Sequence, residues 1–240
     1  MNSLTAIQVR KALKSKATPD RAKASQRFFK TGKGEYGEGD VFIGVTMPDQ
    51  RIVAKQFIEL PLAEILKLLH SKVHEERMTA LVIMVYQFER SKVDSERKKI
   101  FDAYLANTRW INNWDLVDVT APRIVGAYLG PRAIPTLKRL AHSKNLWEKR
   151  IAMISTLYQI SQGDCGPALV IAEMLLKDPH DLMHKASGWM LREAGKKCSQ
   201  PQLERFLQKH GDHMPRTMLR YAIEKFPKAK QQEYLRMGKK

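Results

Sequence analysis

The stretch LWEKRIAMISTLYQI, residues 146–160, decides how the chain is read. It is an apolar helical pattern with a basic residue, Arg150, in its opening turn. The pattern returns as VHEERMTALVIMVYQF from Val73, LMHKASGWMLREAG from Leu182 and HMPRTMLRYAIEKF from His213. Arg77, Lys185 and Arg216 stand where Arg150 stands. Each segment follows another expected helix, over 61–70, 132–142, 165–177 and 200–209. The segment 94–130 supplies a further pair between the first and the second. Counted with that pair, the basic positions recur about every 35 residues, the period of helix-pair solenoids. Stacked pairs in such arrays bury one continuous apolar seam, and one helix of each pair lines a concave face. The fold expected is therefore all-α, a HEAT-like repeat solenoid of antiparallel helix pairs. A cation repeated on the lining helix would give it a basic groove suited to a phosphate backbone.

Outward from the repeats, residues 1–30 read as a helical cap of one or two basic helices broken near Pro19. Residues 31–49, TGKGEYGEGDVFIGVTMPD, read as a Gly-rich surface connection, because the glycines and Pro48 oppose a regular helix. Within it VFIGV could form a short extended piece. Repeats fill about 50–226, a basic tail covers about 227–240, and the whole of 1–240 is expected to be one domain.

Lys and Arg outnumber Asp and Glu by 42 to 25, a formal charge of +17. A folded chain with that excess repels itself, so a polyanionic partner is expected, nucleic acid before an anionic membrane surface. No apolar run approaches the roughly 18 residues that span a bilayer. No secretory signal is read at the N-terminus. Cys165 and Cys198 are far apart in sequence and lack metal-site spacing, which fits a reducing cytoplasm and no structural disulfide. The seven histidines form no HExxH pattern, and neither a Walker loop nor GxGxxG occurs. No metal and no cofactor are expected.

Two constellations carry possible chemistry. On the helix 182–197, Met183, Ala186, Met190 and Ala194 share one face, while Lys185, Trp189, Arg192 and Lys196 fall largely on another. Trp189 among cations reads either as a partly buried Trp flanked by snorkelling bases or as an aromatic platform between phosphate contacts. In NTRWINNWDLVDVTAP, Trp114 and Asp118 share a face at i,i+4 spacing if the segment is helical. Pro122 leaves two options, a new helix capped by Thr120 or a kink in one already begun. Asp115 and Asp118 could simply be helix caps. An acidic residue facing a basic groove, however, is expensive without a role. Trp110 and Trp147 read as packing residues.

One carboxylate between two Trp side chains suits hydrolysis of an N-glycosidic bond. The sugar acquires oxocarbenium character, which a carboxylate stabilises while it orients water, and aromatic faces attract the cation. An alkylated purine already carries positive charge and leaves without a protonating acid.

At these residues the sequence resembles the DNA alkylation repair family, the AlkD-like HEAT-repeat glycosylases. The shared segments are WDLVD at Trp114–Asp118, NLWEKRIA at Asn145–Ala152 and KASGWMLRE at Lys185–Glu193, with RFFKTGKGEYGEGDVFIGV as a variant of the family's entry segment. The resemblance covers nearly the whole chain. It implies that Asp118 is the catalytic carboxylate and that Trp114 and Trp189 pack beside the lesion's deoxyribose. It also implies that Arg150 binds a phosphate and that Arg192 lies in the matching segment; Lys185 and Phe28 are further DNA-contact candidates. The family acts on the lesion while it stays stacked, rather than flipping it. Two departures stand out: Phe28 occupies a position where relatives have Tyr, and Asn113 replaces a Trp of the paired-Trp motif.

The function these readings imply is excision of positively charged alkylpurines, of 3-methyladenine and 7-methylguanine type, from double-stranded DNA. The protein would act as a monomer in the cytoplasm, at the nucleoid when bound to DNA. The alternative is a non-enzymatic HEAT-like scaffold for nucleic acid or an acidic protein, which leaves Trp114, Asp118 and Trp189 unexplained as a set.

Overall fold

A computed structural model of the chain describes residues 3–236. These form α1 (Ala6–Lys14), α2 (Pro19–Phe28), α3 (Met47–Gln56), α4 (Leu62–Leu69), α5 (His74–Arg90), α6 (Asp94–Ala106), α7 (Trp114–Ala121) and α8 (Ala127–Leu129). The remaining helices are α9 (Ala133–Ala141), α10 (Leu146–Ser161), α11 (Gly166–Met174), α12 (Asp181–Lys197), α13 (Gln200–His210), α14 (Arg216–Ala222) and α15 (Lys228–Arg236). The fold is all-α. Among the described residues the only extended pairing is an isolated parallel bridge between Val41 and Val73. The chain forms two compact units, residues 1–116 and 117–240, with the boundary inside α7.

In the first unit α5 is the hub, packed against α3, α4 and α6. Every residue of α5 from His74 to Val85 is buried, so the helix is enclosed on all sides rather than amphipathic. The bridge at Val41 lies inside VFIGV: the Val41 amide donates to the Lys72 carbonyl and the His74 amide to the Val41 carbonyl. Glu75, itself buried, holds the next residues. Its carboxylate accepts the amides of Ile43, Gly44 and Val45, the Gly44 contact being 2.8 Å. The connection is thus more than a surface loop, because it is pinned to the first turn of the buried hub. Pro48 does not extend the loop. It sits in the first turn of α3 behind the N-cap Thr46, where the missing N–H costs nothing.

In the second unit α10 packs on α9 and α12, and α12 packs on α11, α13 and α14. The expected repeat is visible as stacked helix pairs. Met183, Ala186, Met190 and Ala194 of α12 are all buried, as their spacing predicts. A close approach between α12 and α14 depends on Gly188: a Cβ there would lie 2.5 Å from the Met218 carbonyl oxygen and from the Tyr221 Cβ. Trp147 is buried in this core, whereas Trp110, in the first unit, lies half-buried against the His70 ring. Cys165 and Cys198 are free thiols; Cys165 donates to the Gln202 side-chain oxygen and Cys198 to the Ile160 carbonyl. Burial, with Cys165 alongside, pushes the Cys198 thiol up to about 12.

The second of the two options at Pro122 is realised. The chain runs from α7 through a π turn, Pro122–Gly126, into α8, and Thr120 is wholly buried within α7 rather than capping anything. Proline has no N–H for the carbonyl four residues back, that of Asp118, and the wider π turn absorbs the fault. At the other end the expected basic tail is helical as far as Arg236, and 237–240 lie outside the described residues.

Candidate functional site

In residues 1–116 the site residues gather around the first turn of α7. Asn113, wholly buried, accepts the Trp114 amide on its Oδ1 at 2.8 Å. The capping role that the sequence offers to Asp115 is therefore shared with the residue that replaces the family's Trp. Asp115 accepts the Leu116 amide on Oδ1 and hydrogen-bonds through Oδ2 to His74 Nε2 at 2.8 Å. The other ring nitrogen of His74 meets Asp40 Oδ2 at 3.0 Å. A carboxylate against each ring nitrogen favours the doubly protonated imidazolium, which the Arg77 guanidinium, its Nη2 3.4 Å from Nδ1, opposes. Burial pulls the His74 pKa down, but the charge and hydrogen bond of Asp115 and the hydrogen bond of Asp40 outweigh burial and the Arg77 charge, and it lies above the usual histidine value.

Arg77 closes the network. Its Nη2 donates to Asp40 Oδ1 at 2.7 Å, and its Nη1 donates to the carbonyls of Ser71 and Lys72. Burial pushes the Asp40 carboxyl up, yet the His74 hydrogen bond and the Arg77 charge hold it below the ordinary carboxylate range. The expectation that Arg77 lines a basic groove is wrong. It is 2% exposed and ties a loop to a helix inside the unit, because a buried Asp40 needs a cation beside it. Asp40 and Tyr36 both come from the Gly-rich connection, and sequence reasoning singled out neither. The signal was slight: an Asp and a Tyr set among glycines.

An aromatic stack lies against this network. The Phe42 ring stacks on His74 at 4.6 Å between centroids and on Phe29 at 5.0 Å, and Phe29 stacks on Trp114 at 5.3 Å. Trp114 is half-buried, and its Nε1 donates to the Tyr36 hydroxyl at 3.3 Å. Phe28, 63% exposed, meets the Trp114 ring edge-on at 5.9 Å. Phe28 is thus an exposed aromatic beside the half-buried Trp114.

In residues 117–240 the central feature is a bidentate ion pair. Arg150 donates from Nε to Asp118 Oδ1 and from Nη2 to Asp118 Oδ2, both at 2.8 Å, and from Nη1 to the Leu182 carbonyl at 2.7 Å. The fork fixes the plane of the carboxylate and favours its ionised form. Arg150 is placed differently from a phosphate hook: it is 5% exposed and turned inward onto Asp118 and α12. The Asp118 side chain keeps 15% of its surface open to solvent.

On α12, Lys185, Trp189 and Arg192 follow one stripe at i, i+4 and i+7. Lys185 is partly exposed and pairs with Asp181 at 2.7 Å; Trp189 is half-buried. Arg192 is engaged by Glu224 and lies 3.6 Å from Glu193. A phosphate reaching Arg192 would compete with Glu224. Arg216 donates to the Leu235 carbonyl. Of the four recurring basic residues, Lys185 is partly exposed and pairs with Asp181 one turn earlier, while the three arginines bind partners within their own unit.

Among the described residues no three His, Cys, Asp or Glu side chains form a group suited to a metal ion, and no helix is long and apolar enough to cross a membrane. No curated protein matches the chain. Among solved structures, it is similar to a predicted DNA alkylation repair enzyme from Enterococcus faecalis, with a TM-score of 0.66 at 16% identity, over 89% of this chain and 98% of that one. Likeness at that identity shows a shared fold. The family model described as DNA alkylation repair enzyme matches residues 9–226, nearly the full length, and the chain accordingly belongs to that family.

Proposed function

We propose that the protein is a metal-independent DNA glycosylase that hydrolyses the N-glycosidic bond of positively charged alkylpurines, of 3-methyladenine and 7-methylguanine type, in duplex DNA. The observation that carries this reading is Asp118. It is a carboxylate whose two oxygens are fixed by one guanidinium and which still reaches solvent. Such a group stabilises an oxocarbenium-like sugar and orients a water for attack, without reorganising as charge develops. A cationic base needs no general acid to leave, so a single carboxylate suffices where glycoside hydrolysis generally uses two.

In this reading Trp114, one turn before Asp118 on α7, and Trp189 on α12 face the deoxyribose, as the family resemblance implies. Arg150 sets the carboxylate. Lys185, Arg192 and the exposed Phe28 contact DNA. The lesion stays stacked while contacts run through the backbone, and one copy of the chain acts alone.

The test is release of methylated bases from alkylated duplex DNA by wild type and by Asp118→Asn. Release by wild type alone supports the reaction and the residue. Release by both keeps the reaction and removes Asp118 from its centre. Release by neither, with intact binding to alkylated and undamaged DNA alike, replaces the reading with a nucleic-acid scaffold.

A further inference from the structure

The Asp40–His74–Asp115 chain has no part in the reaction as described so far. It is a costly construction: a 2% exposed imidazole and a 4% exposed aspartate side chain, with Arg77 beside them. Buried charges of this kind persist only when paired, and replacing them with apolar side chains often stabilises a fold. The position of the chain suggests why it is kept. One end, Asp115, is the second residue of α7 and neighbours Trp114. The face of the imidazole supports Phe42 and Phe29, ring centroids at 4.6 and 5.1 Å, and Phe29 in turn supports Trp114. Asn113 adds a third tie, accepting the Trp114 amide while its Nδ2 reaches Asp40 at 3.5 Å. Trp114 is therefore held through its backbone and through its ring by the same few groups.

We propose that His74 is a positioning residue for base excision: held between Asp40 and Asp115, it sets the first turn of α7 and the Phe29–Trp114 stack. The proposal rests on the glycosylase reading above. Trp114 is the aromatic face in that reading, so the orientation of the helix start it occupies bears on excision. Misplacement of a reacting group by about 1 Å can cost about a hundredfold in rate.

Protonation is part of the device. A neutral imidazole has one donor, so it releases either Asp40 or Asp115. The charged groups facing His74 are Asp40 from the connection, Asp115 from α7 and Arg77 from its own helix. Asp40 and Asp115 favour the imidazolium, and Arg77 opposes it. The excision rate should therefore fall on the alkaline side as His74 loses its second proton, with binding of DNA largely unchanged.

The experiment has three arms on the full chain. Nitrogen NMR of the histidine rings reads whether His74 carries two protons at pH 7.5 and where it titrates. Single-turnover excision and DNA affinity are followed against pH for wild type. The same is done for His74→Gln, which keeps one hydrogen bond, and for Asp40→Asn, which keeps the contact but removes its charge. The expected result is a doubly protonated ring and an alkaline fall in wild-type rate that follows its titration. His74→Gln should excise about tenfold to a hundredfold more slowly with little change in affinity, and should lack the alkaline limb. Asp40→Asn should move that limb to lower pH. A neutral ring at pH 7.5 overturns the proposal, as does wild-type excision by His74→Gln or a limb that ignores Asp40→Asn. Wild type that excises no methylated base overturns the glycosylase reading and the positioning role together, whereas normal wild-type activity with an indifferent His74→Gln overturns the role alone.

Discussion

Arg77 and Arg150 begin equivalent helices of the repeat and each grips one aspartate, yet the two pairs have opposite relations to water. In residues 1–116 the carboxylate is Asp40, its side chain 4% exposed, shared between Arg77 and His74. In residues 117–240 it is Asp118, its side chain 15% exposed, with both oxygens gripped by Arg150. A guanidinium thus serves in one place as an internal brace, with one contact to Asp40 and others to backbone carbonyls, and in the other as a two-pronged mount for a partly exposed carboxylate. The difference lies in what accompanies the pair. His74 and an aromatic stack seal Asp40, whereas Asp118 sits before a π turn and keeps part of its side chain in solvent.

The largest effect should come from breaking the sealed pair. Asp40→Ala leaves Arg77 buried without its counter-charge, and about 3–5 kcal/mol of stability should be lost, read by urea unfolding. An unchanged midpoint would mean that Arg77 finds water, and the contrast with Arg150 would collapse. Next comes Arg150→Lys, which keeps the charge but loses the planar fork. Its excision rate should drop about a hundredfold, on the order of 2.7 kcal/mol in the transition state, with a smaller loss of stability. A large stability loss with normal excision would make the Asp118 pair a brace as well.

A smaller effect should appear with pH. His74 has a raised pKa in the folded protein, so its stabilisation is present in full below the unfolded value of about 6.5 and is lost as pH rises through the folded value. Asp40 has the opposite sign: its contribution is present above the unfolded value of about 3.9 and is lost as pH falls through the lowered folded value. The melting temperature of wild type should decline on the alkaline side, and that decline should flatten in His74→Gln. An arginine keeps its charge throughout, so the Asp118 clamp has no alkaline counterpart. The smallest effect belongs to the exposed cation. Lys185→Ala should leave stability almost unchanged and reduce the salt dependence of DNA binding by about one unit of slope. No change in slope would remove Lys185 from the interface.

Much of this architecture was legible in the sequence. Apolar periodicity marked α4, α9, α11 and α13 to within a few residues, and the buried face of α12 followed from spacing alone, because a helix must hide one stripe whatever its neighbours. The motif WDLVD pointed to Asp118 and Trp114. What periodicity could not say was which way a cation turns. Four basic residues in one register looked like a groove lining. Arg77 and Arg150 are buried on aspartates, Arg216 binds a backbone carbonyl, and Lys185 is partly exposed beside Asp181.

The reason is physical. Helix formation and the choice of buried face depend on residues three and four apart, which the sequence by itself determines. The fate of a charge depends on which carboxylate, carbonyl or ring the folded chain brings to it from 30 or more residues away, as Asp40 meets Arg77 and Asp118 meets Arg150. Only the tertiary structure decided that, and it also made the Gly-rich connection a working part by sealing Asp40 and delivering Tyr36 to Trp114.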